Sequence, residues 1–190
     1  MRLFVAVYPP PAAVASLTAR VGRLRVGTAA AAGVDVRLAD PANLHVTLAF
    51  LGEVETDRLV EVESILGLAA ETARAGWAGP PRLWLGGGGC FGPGRSTVLW
   101  VDVHGEVESL RTLARLIRSG LRRAGLPYDG RPFRPHLTVA RPGDRIDPSD
   151  VEADRLALGD HTGPEWPATE LVLVRSIPGP HHERLAAWPL

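Results

Sequence analysis

The chain of 190 residues contains no lysine, so all 21 of its basic side chains are arginines. The 21 acidic side chains balance them to a formal net charge of zero. A protein that binds long nucleic acid without regard to sequence needs many uncompensated basic contacts to phosphate. The absence of a positive excess therefore argues against that class, and leaves a small ligand or the end of a nucleic acid as a partner.

Cysteine is nearly absent as well. Cys90 is the only one, which excludes internal disulfides and a cysteine-based metal cluster. Long apolar runs are also missing, because the N-terminal run from Leu3 to Tyr8 stops at three consecutive prolines. That run is shorter than a signal-peptide core or a membrane span, so we expect a cytoplasmic protein.

Two five-residue segments repeat one pattern, His-x-Thr followed by apolar residues. They are residues 45–49 (His-Val-Thr-Leu-Ala) and 136–140 (His-Leu-Thr-Val-Ala), and each has a proline four positions before its histidine. Because successive side chains on a strand point to opposite faces, the histidine and threonine of each segment share one face. The apolar residues are expected to point to the other face: Val46, Leu48, Phe50, Leu137 and Val139.

The repeated pattern is stronger evidence of a functional role than either histidine alone. A histidine on a strand is usually structural, but two unrelated structural histidines would not be expected to share three further neighbours. Imidazole has a pKa near neutrality and can act as an acid or a base. The hydroxyls of Thr47 and Thr138 can donate hydrogen bonds to phosphate oxygens. The sequence therefore predicts that His45 and His136 perform acid–base chemistry on a phosphate.

Other candidate sites are weaker. The glycine-rich stretch 86–94 lacks the Gly-Lys-Ser/Thr ending of a phosphate-binding loop and the spacing of a dinucleotide fingerprint, so we interpret it as a flexible loop. His45 and His136 have no nearby partner at metal-ligand spacing, which argues against a metal site.

Strand-like and helical segments alternate in a pattern that appears about twice. A strand over Arg2–Tyr8 precedes a helix opened by prolines, and further helical apolar stripes start near Thr56 and Val107. Residues 27–33 are interpreted as a frayed helix end or a loop. After the second His-x-Thr segment, a polar, Asp-rich stretch leads to a strand over Glu170–Ile177.

The spacing of the repeats indicates a duplication. The two His-x-Thr segments lie 91 positions apart, close to half the chain. We therefore predict an α+β fold with two antiparallel sheets flanking a central cleft and helices packed outside. The lobes are expected to form a single bilobal domain over residues 1–190, since no linker-like stretch separates them.

Longer segments around the repeats carry a family resemblance. They are residues 43–52 (Asn-Leu-His-Val-Thr-Leu-Ala-Phe-Leu-Gly) and 131–141 (Arg-Pro-Phe-Arg-Pro-His-Leu-Thr-Val-Ala-Arg), with supporting similarity at 1–6, 98–101 and 185–190. These segments resemble the 2H phosphoesterases, and within them the bacterial and archaeal RNA 2′,3′-cyclic phosphodiesterases, also called the 2′-5′ RNA ligase-like family. The resemblance covers nearly the whole chain.

The resemblance implies an enzyme without metal or other cofactor that opens 2′,3′-cyclic phosphates on RNA ends or nucleotides to 2′-phosphates. By analogy His45 is the proton donor to the leaving 3′ oxygen and His136 is the proton acceptor from water. Thr47, Thr138 and Arg141 are expected to bind substrate, although strict alternation would place Arg141 off the histidine face. The reverse reaction would form a 2′-5′ linkage. We expect a monomer with no membrane partner.

Two positions depart from the family pattern. Leu38 stands where tryptophan is common and His182 where tyrosine is common, so base stacking and the preferred substrate are left open. One alternative is a related 2H esterase that acts on 2′-5′ oligoadenylate or on a cyclic phosphate of ADP-ribose. The other is a non-catalytic module that binds RNA ends, against which the intact pair of histidines argues.

Overall fold

The computed structural model describes residues 1–92, 94–177 and 182–190. Within these ranges the strands form two antiparallel sheets, which confirms the predicted fold class. The first sheet contains, in spatial order, β3 (Val46–Glu53), β1 (Arg2–Val7), β8 (Glu170–Ser176) and β9 (His182–Pro189). The second sheet contains β2 (Arg37–Leu38), β6 (His136–Arg141), β5 (Val98–Gly105), β4 (Arg82–Phe91) and β7 (Trp166–Pro167).

The helices cover one face of each sheet. They are α1 (Pro11–Val21), α2 (Arg25–Ala31), α3 (Leu59–Ala75), α4 (Val107–Arg123) and α5 (Pro148–Gly159). Helices α3 and α4 pack together and against the first sheet, whereas α1 and α5 pack against β4 of the second. The predicted apolar stripe of α4 is fully buried at Leu110, Leu113 and Ile117. One hydrophobic cluster joins both sheets to the helices.

Strand β3 contains a bulge immediately after its threonine. Thr47 and Ala49 pair with adjacent residues of β1, so Leu48 between them is an extra residue. An extra residue reverses the alternation of faces beyond it. Phe50 therefore lies on the face of Thr47, where it packs with Phe4 away from the main core. The prediction that Phe50 points to the same face as Leu48 is wrong for this reason.

Strand β6 repeats the bulge at the equivalent position. Thr138 and Ala140 pair with adjacent residues of β5, which leaves Val139 as the extra residue. Arg141 is thereby turned to the face of Thr138, whereas strict alternation would have placed it on the other side. Phe50 and Arg141 thus occupy equivalent places, five residues after the histidine in each half.

The glycine-rich stretch is mostly strand, and its interpretation as a flexible loop is wrong. Strand β4 runs through all four glycines at 86–89 and pairs with β5; residue 93 of the stretch lies outside the described residues. A Cβ at Gly89 would lie 2.0 Å from the indole of Trp100, and one at Gly88 would lie 2.4 Å from the carbonyl oxygen of Arg155 in α5. The glycines let a tryptophan and a helix approach the sheet on opposite sides.

Two helices that the sequence does not predict each begin at backbone N–H groups that an aspartate satisfies. The Asp-rich stretch forms α5, whose first turn is capped by the Asp147 carboxylate accepting from the backbone N–H of Ser149 at 2.8 Å. Asp154 of the same helix is only 1% exposed and accepts from the backbone N–H groups of Arg25 and Val26. Residues 25–31 are therefore helical because a distant carboxylate satisfies the free N–H groups at their start.

The second long helix begins slightly later than its predicted start near Thr56, because residues 56–58 form a 3₁₀ turn before α3. In the parts of the chain that the structure describes, no helix is both long and apolar enough to cross a membrane.

Candidate active site

His45 and His136 are held by the same local hydrogen bond. His45 directly precedes β3, and its Nδ1–H donates to the carbonyl of Asn43 at 2.6 Å. His136 opens β6, and its Nδ1–H donates to the carbonyl of Arg134 at 2.7 Å. A carbonyl can only accept, so in each neutral imidazole the proton is on Nδ1 and the Nε2 lone pair is free.

Strands β3 and β6 contact each other; His45 directly precedes the first and His136 opens the second. They are close enough that positive charge on His136 lowers the pKa of His45. Two imidazoles with free Nε2 atoms on facing strands can give and take a proton at a ligand between them.

The His45 side of the site is aromatic. Its ring stacks on Phe4 with centroids 4.8 Å apart, and Tyr8 lies at 5.7 Å. Burial lowers the pKa of His45 to about 4, assisted by charge repulsion from His182 and His136, whereas the hydrogen bond to Asn43 opposes the shift. In the free protein at neutral pH, His45 is therefore uncharged.

His182 is a third imidazole in this half of the site. Its ring lies edge-on to His45 at 5.2 Å and to Phe4 at 5.0 Å. The Nδ1 atom is buried without a hydrogen-bond partner in the described residues, and burial lowers the pKa of His182 against the opposing pull of Asp40. His182 departs from the family pattern, but nothing in the sequence predicts that β9 lies beside His45.

The His136 side combines aromatic and basic groups. Its ring lies edge-on to Phe91 at 5.2 Å and to Trp100 at 5.6 Å. The guanidinium of Arg134 lies over the Trp100 ring at 4.2 Å, which is a cation–π distance. The ring of Trp100 thus supports both His136 and Arg134, although the sequence predicts it only as part of a strand.

The remaining predicted site residues lie on the same faces as the histidines. Thr47 is half-buried on the first sheet, and its pairing with Ala6 places it beside the aromatic group around His45. Thr138 is half-buried on the second sheet, opposite Trp100. Arg141 is exposed, and the described residues offer its side chain no hydrogen bond or ion pair. Proximity of these three side chains to a ligand stays a prediction.

No group of three or more His, Cys, Asp or Glu side chains in the described ranges is placed to hold a metal ion. The histidines outside the site have other contacts. His104 stacks on Trp84 at 4.2 Å, and His161 lies beside Arg20, whose charge adds to burial in lowering the pKa of His161.

Several known proteins with similar sequences carry the name of one activity. RNA 2′,3′-cyclic phosphodiesterase from Archaeoglobus fulgidus is 34% identical over 142 residues, which are 74% of this chain and 72% of that protein. The protein of that name from Thermus thermophilus is 31% identical over 185 residues, 93% of this chain and 82% of the other. The one from Geobacillus stearothermophilus is 32% identical over 148 residues, 77% of this chain but only 45% of that longer protein.

Solved structures share the fold across the whole chain. A crystal structure of a Thermus thermophilus protein is 29% identical with a TM-score of 0.69, and the match covers 100% of this chain and 98% of the other. Escherichia coli LigT, solved with 3′-AMP, is 24% identical with a TM-score of 0.66, covering 100% and 97%. The model of the 2′-5′ RNA ligase superfamily matches residues 9–179 and so includes both His-x-Thr strands. The chain therefore belongs to the 2′-5′ RNA ligase superfamily.

Proposed function

We propose that this protein is an RNA 2′,3′-cyclic phosphodiesterase that hydrolyses cyclic phosphate ends to 2′-phosphates without a metal ion. The observation that carries the proposal is the matched pair of histidines, His45 and His136, each fixed through Nδ1 and each leaving Nε2 free. Such a pair can serve two proton transfers in one displacement at phosphorus.

The hydrolysis requires that one proton be removed from the attacking water and one be delivered to the leaving ribose oxygen. His136 takes the proton of the attacking water through Nε2 as the new phosphorus–oxygen bond forms. His45 delivers a proton from Nε2 to the ribose 3′ oxygen as the bond from that oxygen to phosphorus breaks. The hydroxyls of Thr47 and Thr138 and the guanidinium of Arg141 hold the non-bridging oxygens, where charge develops in the transition state.

Before His45 can donate a proton, its neutral imidazole must become protonated, and substrate binding favours that change. The ring is neutral in the free protein because burial lowers its pKa to about 4. An anionic phosphate placed beside the imidazole favours the charged form and raises its pKa. Binding of the substrate therefore favours the protonated form of His45, which then donates its proton to the leaving oxygen.

The reverse reaction replaces water with the 5′-hydroxyl of a second RNA and yields a 2′-5′ linkage. Water is in vast excess at an open cleft, so ligation is the minor direction. We propose that the protein acts as a monomer, since both histidines come from one chain, and that it acts on RNA ends in the cytoplasm.

The test is turnover of nucleoside 2′,3′-cyclic phosphates in the presence of EDTA, with the product identified by chromatography. We expect the 2′-phosphate to form at an undiminished rate. A rate that disappears with EDTA and returns with a divalent cation would contradict the mechanism. Binding of cyclic-phosphate RNA without turnover would instead identify a binding module. Faster turnover of 2′-5′ oligoadenylate or an ADP-ribose cyclic phosphate in the same assay would identify a different 2H esterase.

A further inference from the structure

Tyr8 lies beside His45, and the proposed mechanism does not use it. It directly follows β1, and its ring centroid lies 5.7 Å from that of His45. The half-buried ring packs against a small cluster that contains Phe4, Ala6 and two valines of β8, apart from the main core. Tyr8 therefore lies on the face of the first sheet that carries the catalytic histidine.

The phenol hydroxyl of Tyr8 is a hydrogen-bond donor without an acceptor. In the described residues it makes no hydrogen bond, and its oxygen is not one of the fully buried atoms that lack a partner. Burial raises the pKa of Tyr8, against the opposing charge of Arg184, so the hydroxyl keeps its proton at neutral pH. A buried tyrosine usually directs its hydroxyl to a partner. A bound ligand can supply that partner here.

Two contacts hold the ring of Tyr8 before any ligand binds. His45 is one of them, and the other is the guanidinium of Arg184, which lies over the ring at 5.7 Å. Arg184 is itself fixed, because it donates to the carboxylate of Glu170 at 2.8 Å. A side chain that is already held loses less conformational entropy when its hydroxyl binds a ligand.

The register of β1 and β3 places Tyr8 on the side of the leaving oxygen. Thr47 pairs with Ala6. Because the two strands are antiparallel, the residue two positions before Thr47 comes opposite the residue two positions after Ala6, which sets His45 against Tyr8. In the proposed mechanism Thr47 holds a non-bridging oxygen, whereas His45 reaches the ribose 3′ oxygen. Tyr8 thus lies in the row that faces the 3′ oxygen.

The equivalent position in the other half of the site carries no such donor. On the second sheet Asp102 of β5 pairs with His136, so Asp102 occupies the place that Tyr8 has beside His45. A carboxylate accepts hydrogen bonds but does not donate them. Of the two equivalent positions, only the one beside the proposed proton donor carries a group that can donate to the leaving oxygen.

A hydrogen bond from a phenol would assist the bond cleavage at phosphorus. Negative charge develops on the 3′ oxygen as its bond to phosphorus breaks, and a donor placed in advance stabilises that charge. The oxygen has room for two hydrogen bonds, so the imidazole of His45 and the phenol of Tyr8 can act together. His45 transfers its proton, whereas Tyr8 keeps its own.

We propose that Tyr8 is a further catalytic residue, whose hydroxyl donates a hydrogen bond to the ribose 3′ oxygen in the transition state and to the 3′-hydroxyl of the product. This inference rests on the proposed function, because it takes His45 to be the proton donor to the same oxygen.

The first test is the turnover of a nucleoside 2′,3′-cyclic phosphate by Tyr8→Phe, which deletes the hydroxyl and keeps the ring. We expect kcat to fall by about 10- to 100-fold, less than for a donor in an oxyanion hole, with KM changed by no more than about twofold. Tyr128→Phe is the matched control, because Tyr128 is the other tyrosine of the chain and packs against the main core. It should keep the wild-type rate.

The second test measures product binding and needs no turnover. Adenosine 2′-phosphate and 3′-deoxyadenosine 2′-phosphate differ only in the 3′-hydroxyl. By calorimetry we expect the wild type to bind the first about tenfold more tightly, the effect of one or two hydrogen bonds. Tyr8→Phe should reduce that preference to about twofold, because only the contact with His45 is left. Tyr128→Phe should keep the full preference.

The inference is overturned if Tyr8→Phe has the wild-type kcat, or if it keeps the wild-type preference between the two nucleotides. Normal turnover by Tyr8→Phe with slow turnover by Tyr8→Leu would show that only the ring matters, which also overturns it. If the wild type does not hydrolyse cyclic phosphates, the proposed function fails. In that case a binding preference that depends on the Tyr8 hydroxyl would still support the contact.

Discussion

The half of the site on the first sheet and the half on the second begin from the same five-residue pattern. In both, the imidazole donates from Nδ1 to the carbonyl two residues earlier. Both strands also bulge directly after the threonine, at Leu48 and at Val139. The duplication therefore preserves the backbone that holds each histidine, down to the irregularity in its strand.

The surroundings of the two histidines differ. His45 lies among Phe4, Tyr8 and His182, and this burial holds its pKa near 4. Beside His136 the structure instead places Trp100 with an arginine stacked on it. The residue two positions after each bulge shows the same difference, with an aromatic ring at 50 and a guanidinium at 141.

The comparison shows how a repeated motif can supply two unlike catalytic groups. Acid–base catalysis needs one imidazole that gives a proton and one that takes it, and identical environments would make the two equivalent. Here the hydrogen bond and the bulge fix the position of each histidine, whereas burial among residues of other strands lowers the pKa of His45.

The largest effect should come from removing either imidazole. His45→Ala and His136→Ala are each expected to reduce kcat by about 10²–10⁴-fold, the usual contribution of general acid–base catalysis. The double variant should be little worse than either single one, because the two groups act in one step. Turnover of a cyclic mononucleotide measures this, with thermal unfolding as the control for folding. Full activity in either single variant would refute the two-histidine mechanism.

The threonines should contribute less, and by similar amounts in the two halves. Thr47→Val and Thr138→Val keep shape while removing a hydroxyl that donates to phosphate. We expect each to lower kcat/KM by about 10- to 100-fold, somewhat less than loss of a donor in an oxyanion hole. A loss confined to one variant would show that only that half of the site holds the phosphate oxygens.

Trp100 supports His136 on the second sheet and, among the described residues, has no counterpart beside His45. A substitution at Gly89, which lies against the indole, tests that support. Gly89→Ala places a methyl group 2.0 Å from the indole in the present geometry, so the ring must move. We expect a loss of about 1–3 kcal/mol in the free energy of unfolding, as for other overpacked sites. Gly159→Ala is the matched control, because its new Cβ would contact nothing within 4 Å. Equal melting temperatures for the two variants would contradict the packing argument.

The smallest effects concern the ionisation of His45. In an NMR titration we expect a pKa of about 4 in the free protein and a higher value with bound phosphate. Because an unfolded histidine takes up its proton near pH 6.5, the contribution of His45 to stability is full above that pH. It is lost as the pH falls toward 4.

His182→Phe removes the neighbouring charge and should raise the pKa of His45 toward its ordinary value. His104→Phe, which replaces a histidine stacked on Trp84 rather than on a site residue, is the control and should leave it unchanged. Equal pKa values for His45 in the wild type and His182→Phe would show that burial alone accounts for the shift.

Much of the fold could be predicted because it follows local periodicity. The apolar stripes of the long helices and the alternation in the His-x-Thr strands come directly from the order of the residues. The missed elements have causes outside their own segments. Residues 25–31 are helical because Asp154 caps them from α5, and the four glycines are strand because Trp100 and α5 lie against them.

The paired His-x-Thr segments, the two catalytic candidates and the family could all be identified without a structure, because they depend on residue identity and short spacing. Only the tertiary structure decided which face Phe50 and Arg141 occupy, since a bulge is defined by the partner strand and not by the strand that contains it. It also decided that His182 and Tyr8 lie beside His45, and that His45 is neutral when free. Burial and charge neighbours set a pKa, and both exist only after distant parts of the chain have come together.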